Sequence, residues 1–126
     1  MHKIIFLDRD GTINKDDGYT NKVGDYKLLP NTIKGLKKLQ SQKFKLIIVT
    51  NQSGIGRGYY TEDQMHEFNN HLLNKLKQEN IDIKEVLFCP HTPEDNCNCR
   101  KPKTKLIESY FTPDFDKNNS YVIGDR

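Results

Sequence analysis

A chain of 126 residues with 20 Lys+Arg against 17 Asp+Glu suits one compact domain and is too short for two ordinary ones. The net charge of +3 is too modest to argue for nucleic acid by itself, and the lysines are scattered along the chain. No stretch approaches the roughly 18 apolar residues of a membrane span, and the N-terminal apolar run leads straight into acids, unlike a signal peptide. The expectation is a cytoplasmic monomer with neither a membrane nor a nucleic-acid partner.

Ile4, Ile5, Phe6 and Leu7 form an apolar run short enough for a buried strand, and Asp8 and Asp10 follow at its exit. Residues two apart share one face of an extended chain, so the two carboxylates can converge on one point. Gly11 lets the chain turn and Thr12 adds a hydroxyl. A lone Asp-x-Asp commonly makes only a solvated turn, but the apolar strand before it and Gly-Thr after it favour a site. Two carboxylates so close repel unless something positive sits beside them.

Residues 14–29 are polar, carry Asp17-Gly18 and Gly24-Asp25 as turn signals, and read as a long loop over the site. After Pro30, Asn31 or Thr32 can cap a helix with Ile33, Leu36 and Leu39 on one face. Residues 45–49 make a second buried strand that discharges into Thr50-Asn51-Gln52-Ser53-Gly54, giving the strand-helix-strand unit of a parallel sheet. Gly54, Gly56 and Gly58 let backbone amides approach an anion, and Thr50, Ser53 and Arg57 add donors, although such loops are also common without a ligand.

Thr61-Glu62-Asp63-Gln64 predicts a capping box, and Met65, Phe68, Leu72 and Leu76 mark the apolar stripe of a helix running to about Glu79. His66 and His71 lie five apart, off the i, i+4 spacing of a metal pair, and read as exposed non-ligands. After a connection at 81–84, Val86, Leu87, Phe88 and Cys89 form a third strand. Cys89, His91, Cys97 and Cys99 then gather three thiols and an imidazole in a short polar loop, the donor set of a closed tetrahedral zinc site. An odd, local set of cysteines without a secretion signal speaks for metal rather than disulfides, with free thiols as the alternative. Arg100 and Lys101 leave the loop side by side. Thr104 can start a short helix with Leu106, Ile107 and Tyr110 inward and Pro113 closing it, and Tyr121-Val122-Ile123 forms a fourth strand before Gly124-Asp125-Arg126.

Asp8-Arg9-Asp10-Gly11-Thr12 after a strand resembles the first motif of the haloacid dehalogenase-like phosphohydrolase superfamily. The resemblance implies a three-layer α/β/α, Rossmann-like parallel sheet, with Asp8 as nucleophile and Asp10 as general acid/base. Thr50 is implied as the second-motif phosphoryl ligand, Lys101 as the third-motif lysine with Lys103 the second choice, and Asp125 as a magnesium ligand beside Asp8 and the Asp10 carbonyl. Residues 51–58 are similar to the loop of the bacterial D-glycero-D-manno-heptose 1,7-bisphosphate phosphatases, which implies substrate-binding roles for Asn51, Ser53 and Arg57. The sister histidinol-phosphate phosphatases tend to carry an acid where Ser53 stands and lack an equivalent of Arg57.

Residues 89–100 with Lys101 and Pro102 resemble the structural zinc loop shared by both groups, with Cys89, His91, Cys97 and Cys99 as ligands and Arg100 binding substrate phosphate. The implied activity is magnesium-dependent hydrolysis of a small sugar phosphate, in carbohydrate metabolism and lipopolysaccharide biosynthesis. Histidinol phosphate is the alternative substrate, and a non-catalytic, zinc-stabilised binding module is the alternative of another class. Members of the superfamily continue with a further acid, strand and helix, so residues 1–126 are expected to form one C-terminally truncated domain.

Overall fold

The computed structural model describes residues 2–15, 18–97, 99 and 105–124. Four parallel strands, β1 (Ile4–Leu7), β2 (Lys45–Asn51), β3 (Ile83–Cys89) and β4 (Tyr121–Ile123), form one sheet in the order β3-β2-β1-β4. The helices are α1 (Thr32–Ser41), the single turn α2 (Ser53–Gly56) and α3 (Glu62–Gln78).

Every residue of β1 is buried because both faces of the sheet are covered, which is why the run is apolar without alternation. On one face Ile5, Leu7, Leu46 and Ile48 pack with Leu36 of α1 and Leu72 and Leu76 of α3. On the other, Ile4, Phe6, Ile47 and Val49 meet Leu106, Ile107, Tyr110 and Phe115. The layering is thus the one expected, except that the second covering layer is a 3-10 segment, Lys105–Tyr110, rather than an α-helix. The strand order places β1→β2→β3 to one side and returns the chain to β4 on the other. A topological switch point therefore lies at the carboxyl ends of β1 and β4, where open sheets of this class bind ligands.

The local signals hold in α3 and miss in α1. Thr61 accepts from the Gln64 N–H at 3.1 Å while the Thr61 N–H donates to Gln64 Oε1 at 2.8 Å, completing the capping box. Met65, Phe68, Leu72 and Leu76 are buried as their stripe predicts, each contributing about 1.5–3 kcal/mol by removal from water. At α1 neither expected side-chain cap forms: Asn31 takes a left-handed conformation (φ 65°), and the Thr32 hydroxyl turns to the Ile13 carbonyl at 3.3 Å.

Two bounds also move. The β2 ladder runs on through Thr50 and Asn51, and β3 begins at Ile83, inside the expected connection. Within the polar loop, Asn14, Thr20 and Asn21 are buried rather than draped over the surface. Among the described residues no helix is long and apolar enough to cross a membrane.

Candidate active site

Parallel strands deliver their carboxyl ends to one edge, and the chemistry gathers there. Leu7 is in register with Ile48 and Ile123, so Asp8 leaves the sheet between β2 and β4, its backbone N–H on the Ile123 carbonyl at 2.9 Å. Asp8 Oδ1 accepts the Arg9 N–H at 2.9 Å, which fixes the first carboxylate against its own turn. Thr50 is buried at the end of β2, and Asn51 pairs with Cys89, so the zinc-type loop starts on the strand beside the glycine-rich loop.

The centre of the arrangement is Arg9, to which the sequence reading assigns no role. It is 0% exposed, and its guanidinium grips both Asp10 oxygens, Nε to Oδ1 at 2.9 Å and Nη2 to Oδ2 at 3.0 Å. Nη1 donates to Asn21 Oδ1 at 3.0 Å and Asn69 Oδ1 at 2.9 Å, and Nη2 also reaches the Thr20 carbonyl at 2.6 Å. The plane lies over the Phe68 ring at 4.6 Å. One signal could have found it. Ile5 and Leu7 point to the α3 face, and two-residue alternation carries Arg9 to the same side.

Gln52, 2% exposed, joins the two motifs. Its Nε2 donates to Thr50 Oγ1 at 2.7 Å and to Asp10 Oδ2 at 3.2 Å, while Oε1 accepts from Asn21 Nδ2 at 3.0 Å and the Tyr60 hydroxyl at 2.5 Å. Burial pushes the Tyr60 phenol up to about 12, against the lowering effect of Arg9, so the hydroxyl keeps its proton and acts as donor. Arg9 Nη2, which can only donate, lies 3.4 Å from Gln52 Oε1 and so fixes which end of the Gln52 amide faces Asp10. Asn14 Nδ2 supplies a further donor to Asp10 Oδ1 at 3.0 Å.

Of the other expected residues, Ser53 opens α2 and Arg57 follows it, with Nη2 4.0 Å from Glu94 Oε2 across the loops. His66 pairs with Glu62 and faces Phe88, and His71 packs on Tyr26, so neither joins the metal cluster. Arg100, Lys101, Lys103 and Asp125 lie outside the described residues.

Cys89, His91, Cys97 and Cys99 come together as expected, their donor atoms all within 4.8 Å of one another. Cys89 Sγ is 2.7 Å from Cys99 Sγ and 3.4 Å from Cys97 Sγ, and His91 Nδ1 is 3.3 Å from Cys99 Sγ. Three soft sulfurs and an imidazole converging on one point fit zinc, and no disulfide links them. Burial, and then hydrogen bonding with Cys99, push the Cys89 thiol up to about 12, so a metal must displace its proton to bind. For magnesium, the Asp8 carboxylate at the switch point is a hard oxygen donor of the kind that ion takes.

A parallel sheet of this order, with Asp-x-Asp-Gly-Thr leaving β1 and a buried threonine ending β2, defines a haloacid dehalogenase-like phosphohydrolase fold. The family model described as polynucleotide kinase 3 phosphatase matches residues 3–126. A probable D-glycero-D-manno-heptose-1,7-bisphosphate 7-phosphatase of Thermoplasma volcanium is 49% identical, the alignment covering 98% of this chain and 86% of that protein. The histidine biosynthesis bifunctional protein HisB of Legionella pneumophila is 44% identical over 100% of this chain and 37% of its own length. Among solved structures, the D,D-heptose 1.7-bisphosphate phosphatase of B. bronchiseptica, complexed with magnesium and phosphate, superposes with a TM-score of 0.77 at 29% identity. That match covers 85% of this chain, which spans 60% of the solved one. The chain belongs to this family of haloacid dehalogenase-type phosphatases.

Proposed function

We propose that this domain hydrolyses a small phosphorylated sugar, D-glycero-D-manno-heptose 1,7-bisphosphate, at one phosphomonoester through an aspartyl-phosphate on Asp8. The observation that carries the reading is the Gln52 amide spanning Asp10 Oδ2 and Thr50 Oγ1, which brings the first and second motifs to one point at the sheet edge. The heptose phosphatase names of its relatives support the substrate class.

An Asp8 oxygen attacks phosphorus in line, forming the acyl phosphate as the bond to the sugar oxygen breaks, and Asp10 gives that oxygen a proton. Asp10 then takes a proton from the water that attacks phosphorus, releasing inorganic phosphate and restoring the Asp8 carboxylate. Thr50 orients the phosphoryl group, Lys101 offsets its charge, and Asn51, Ser53, Arg57 and Arg100 hold the rest of the substrate. Asp8, the Asp10 carbonyl and Asp125 would hold magnesium, which would supply charge neutralisation on the phosphoryl oxygens. Cys89, His91, Cys97 and Cys99 would hold zinc, which would have a structural part only.

A second reading, histidinol-phosphate hydrolysis, draws on the 44% identity to a segment of a histidine biosynthesis protein. Phosphate release from both esters, with and without magnesium, separates the readings. The expected result is magnesium-dependent release with higher kcat/KM on the heptose bisphosphate. Preference for histidinol phosphate selects the second reading, and no release from either ester leaves a zinc-stabilised binding module.

A further inference from the structure

Arg9 is the largest fully buried side chain among the described residues, yet it stands between the two acids of the site. A guanidinium taken wholly out of water is unfavourable unless its donors are met, and an apolar side chain of similar volume often serves stability as well or better. Here the donors are met by one carboxylate, two asparagine carbonyls, one backbone carbonyl and, at 3.4 Å, the Gln52 carbonyl, drawn from the β1 exit, the packed loop, α3 and the turn after β2. What such a fork adds over an apolar filler is orientation, since its paired N–H groups match the two oxygens of a carboxylate in one plane. Asp10, so held, keeps 17% of its side chain exposed while Arg9 keeps none.

We propose that Arg9 is the positioning residue for Asp10. It locks the Asp10 carboxyl rotamer so that the protonated form passes its proton to the leaving oxygen without a rotational search, and Asn69 on α3 anchors the guanidinium through Nη1. Four donors converge on Asp10: Arg9 twice, Asn14 and Gln52. The longest, Gln52 Nε2 at 3.2 Å, is the one a leaving oxygen displaces, since Gln52 keeps Thr50 Oγ1 at 2.7 Å. Arg9 stays in place. The inference rests on the reading of Asp10 as general acid given above.

The test uses leaving-group dependence. An alkyl ester needs a proton on its departing oxygen, whereas p-nitrophenolate departs without one, and kcat/KM reports only the steps through that departure. Full-length Arg9→Lys and Asn69→Leu proteins are compared on p-nitrophenyl phosphate and on whichever of the two natural esters turns over faster, with Asp10→Asn as control. Arg9→Lys is expected to lose about 10–10²-fold more kcat/KM on the alkyl ester than on the aryl ester, mainly in kcat, and Asn69→Leu several-fold more in the same sense. Equal losses on both esters in folded variants would mean that Arg9 only fills the core, and would overturn the proposal. If Arg9→Lys does not fold, Asn69→Leu decides alone. An Asp10→Asn protein that itself shows no leaving-group selectivity would remove the general-acid reading instead.

Discussion

The backbone N–H of Gly56 donates to the Pro90 carbonyl at 2.9 Å, and a Cβ built on Gly56 would stand 2.8 Å from that same oxygen. With the Gln52 N–H on the Cys89 carbonyl at 2.7 Å, it ties the glycine-rich loop to the cysteine-histidine loop at two points. Glycine is required here by close approach rather than by a left-handed backbone. Gly56→Ala must push one loop off the other and is expected to cost about 1–3 kcal/mol, read as a lowered denaturant midpoint, together with weaker substrate binding. Gly35 in α1 is the contrast. A Cβ there meets nothing within 4 Å, so Gly35→Ala is expected to stabilise by about 0.4–1 kcal/mol. A Gly56→Ala protein as stable as the parent would separate the two loops.

The strands and α3 were legible because apolar runs and a helical stripe report burial directly. The limits of that signal are equally physical. Thr50 and Asn51 look like loop residues, yet their backbones continue the β2 ladder, and hydrogen-bond pairing leaves no mark in composition. The loop holding Thr20 and Asn21 reads as solvated because its side chains are polar, while in the fold those polar groups serve Arg9 and Gln52. Asn69 shows the same effect from the helix side, a polar residue beside the apolar stripe that is buried to meet a charge. Sequence finds the acids by their motif. It does not find the buried network that aims them, because Arg, Asn and Gln default to the surface.

Asp8→Asn is expected to abolish phosphoryl transfer with the fold intact, because the amide is nearly isosteric but cannot form an acyl phosphate. Asp10→Asn should slow turnover by about 10²–10⁴-fold and leave one of the two Arg9 donors facing an amide nitrogen. Steady-state assays check both, with mass spectrometry to exclude deamidation. Asp8→Asn turnover within about tenfold of the parent would move the nucleophile elsewhere.

About one zinc per chain is expected to copurify, and Cys97→Ser or Cys99→Ser to lower the melting temperature. Because the Cys89 thiol is pushed up to about 12, chiefly by burial, it stays protonated in the metal-free protein near neutrality. Zinc uptake should therefore release protons, and its affinity should fall as pH falls, since protons and metal compete for the same sulfurs. Titration of apo-protein with zinc in weak buffer at two pH values measures both. Chelation should also weaken substrate binding after magnesium is restored, because the Cys89 and Pro90 carbonyls hold the neighbouring loop. Metal-free, reduced protein with unchanged stability would count against the site.

Arg57 separates the two substrate readings. Its guanidinium is about one-third exposed and 4.0 Å from Glu94, a carboxylate left largely in water, so the pair adds little to stability and leaves the cation available. Glu94 is held below the usual carboxylate range first by its own backbone N–H and by Thr92, with Arg57 a lesser cause. A sugar bisphosphate brings a second phosphate that does not react and needs a cation from the protein, whereas histidinol phosphate brings an amine that Arg57 would repel. Arg57→Ala is therefore expected to weaken the bisphosphate by about 1.5–3 kcal/mol in kcat/KM, the range for a charge-assisted hydrogen bond, and to leave histidinol phosphate unchanged or improved. Glu94→Gln, which removes the competing anion, should strengthen the bisphosphate slightly. An Arg57→Ala protein matching the parent on the bisphosphate would detach Arg57 from the substrate and leave the phosphatase class without this specificity.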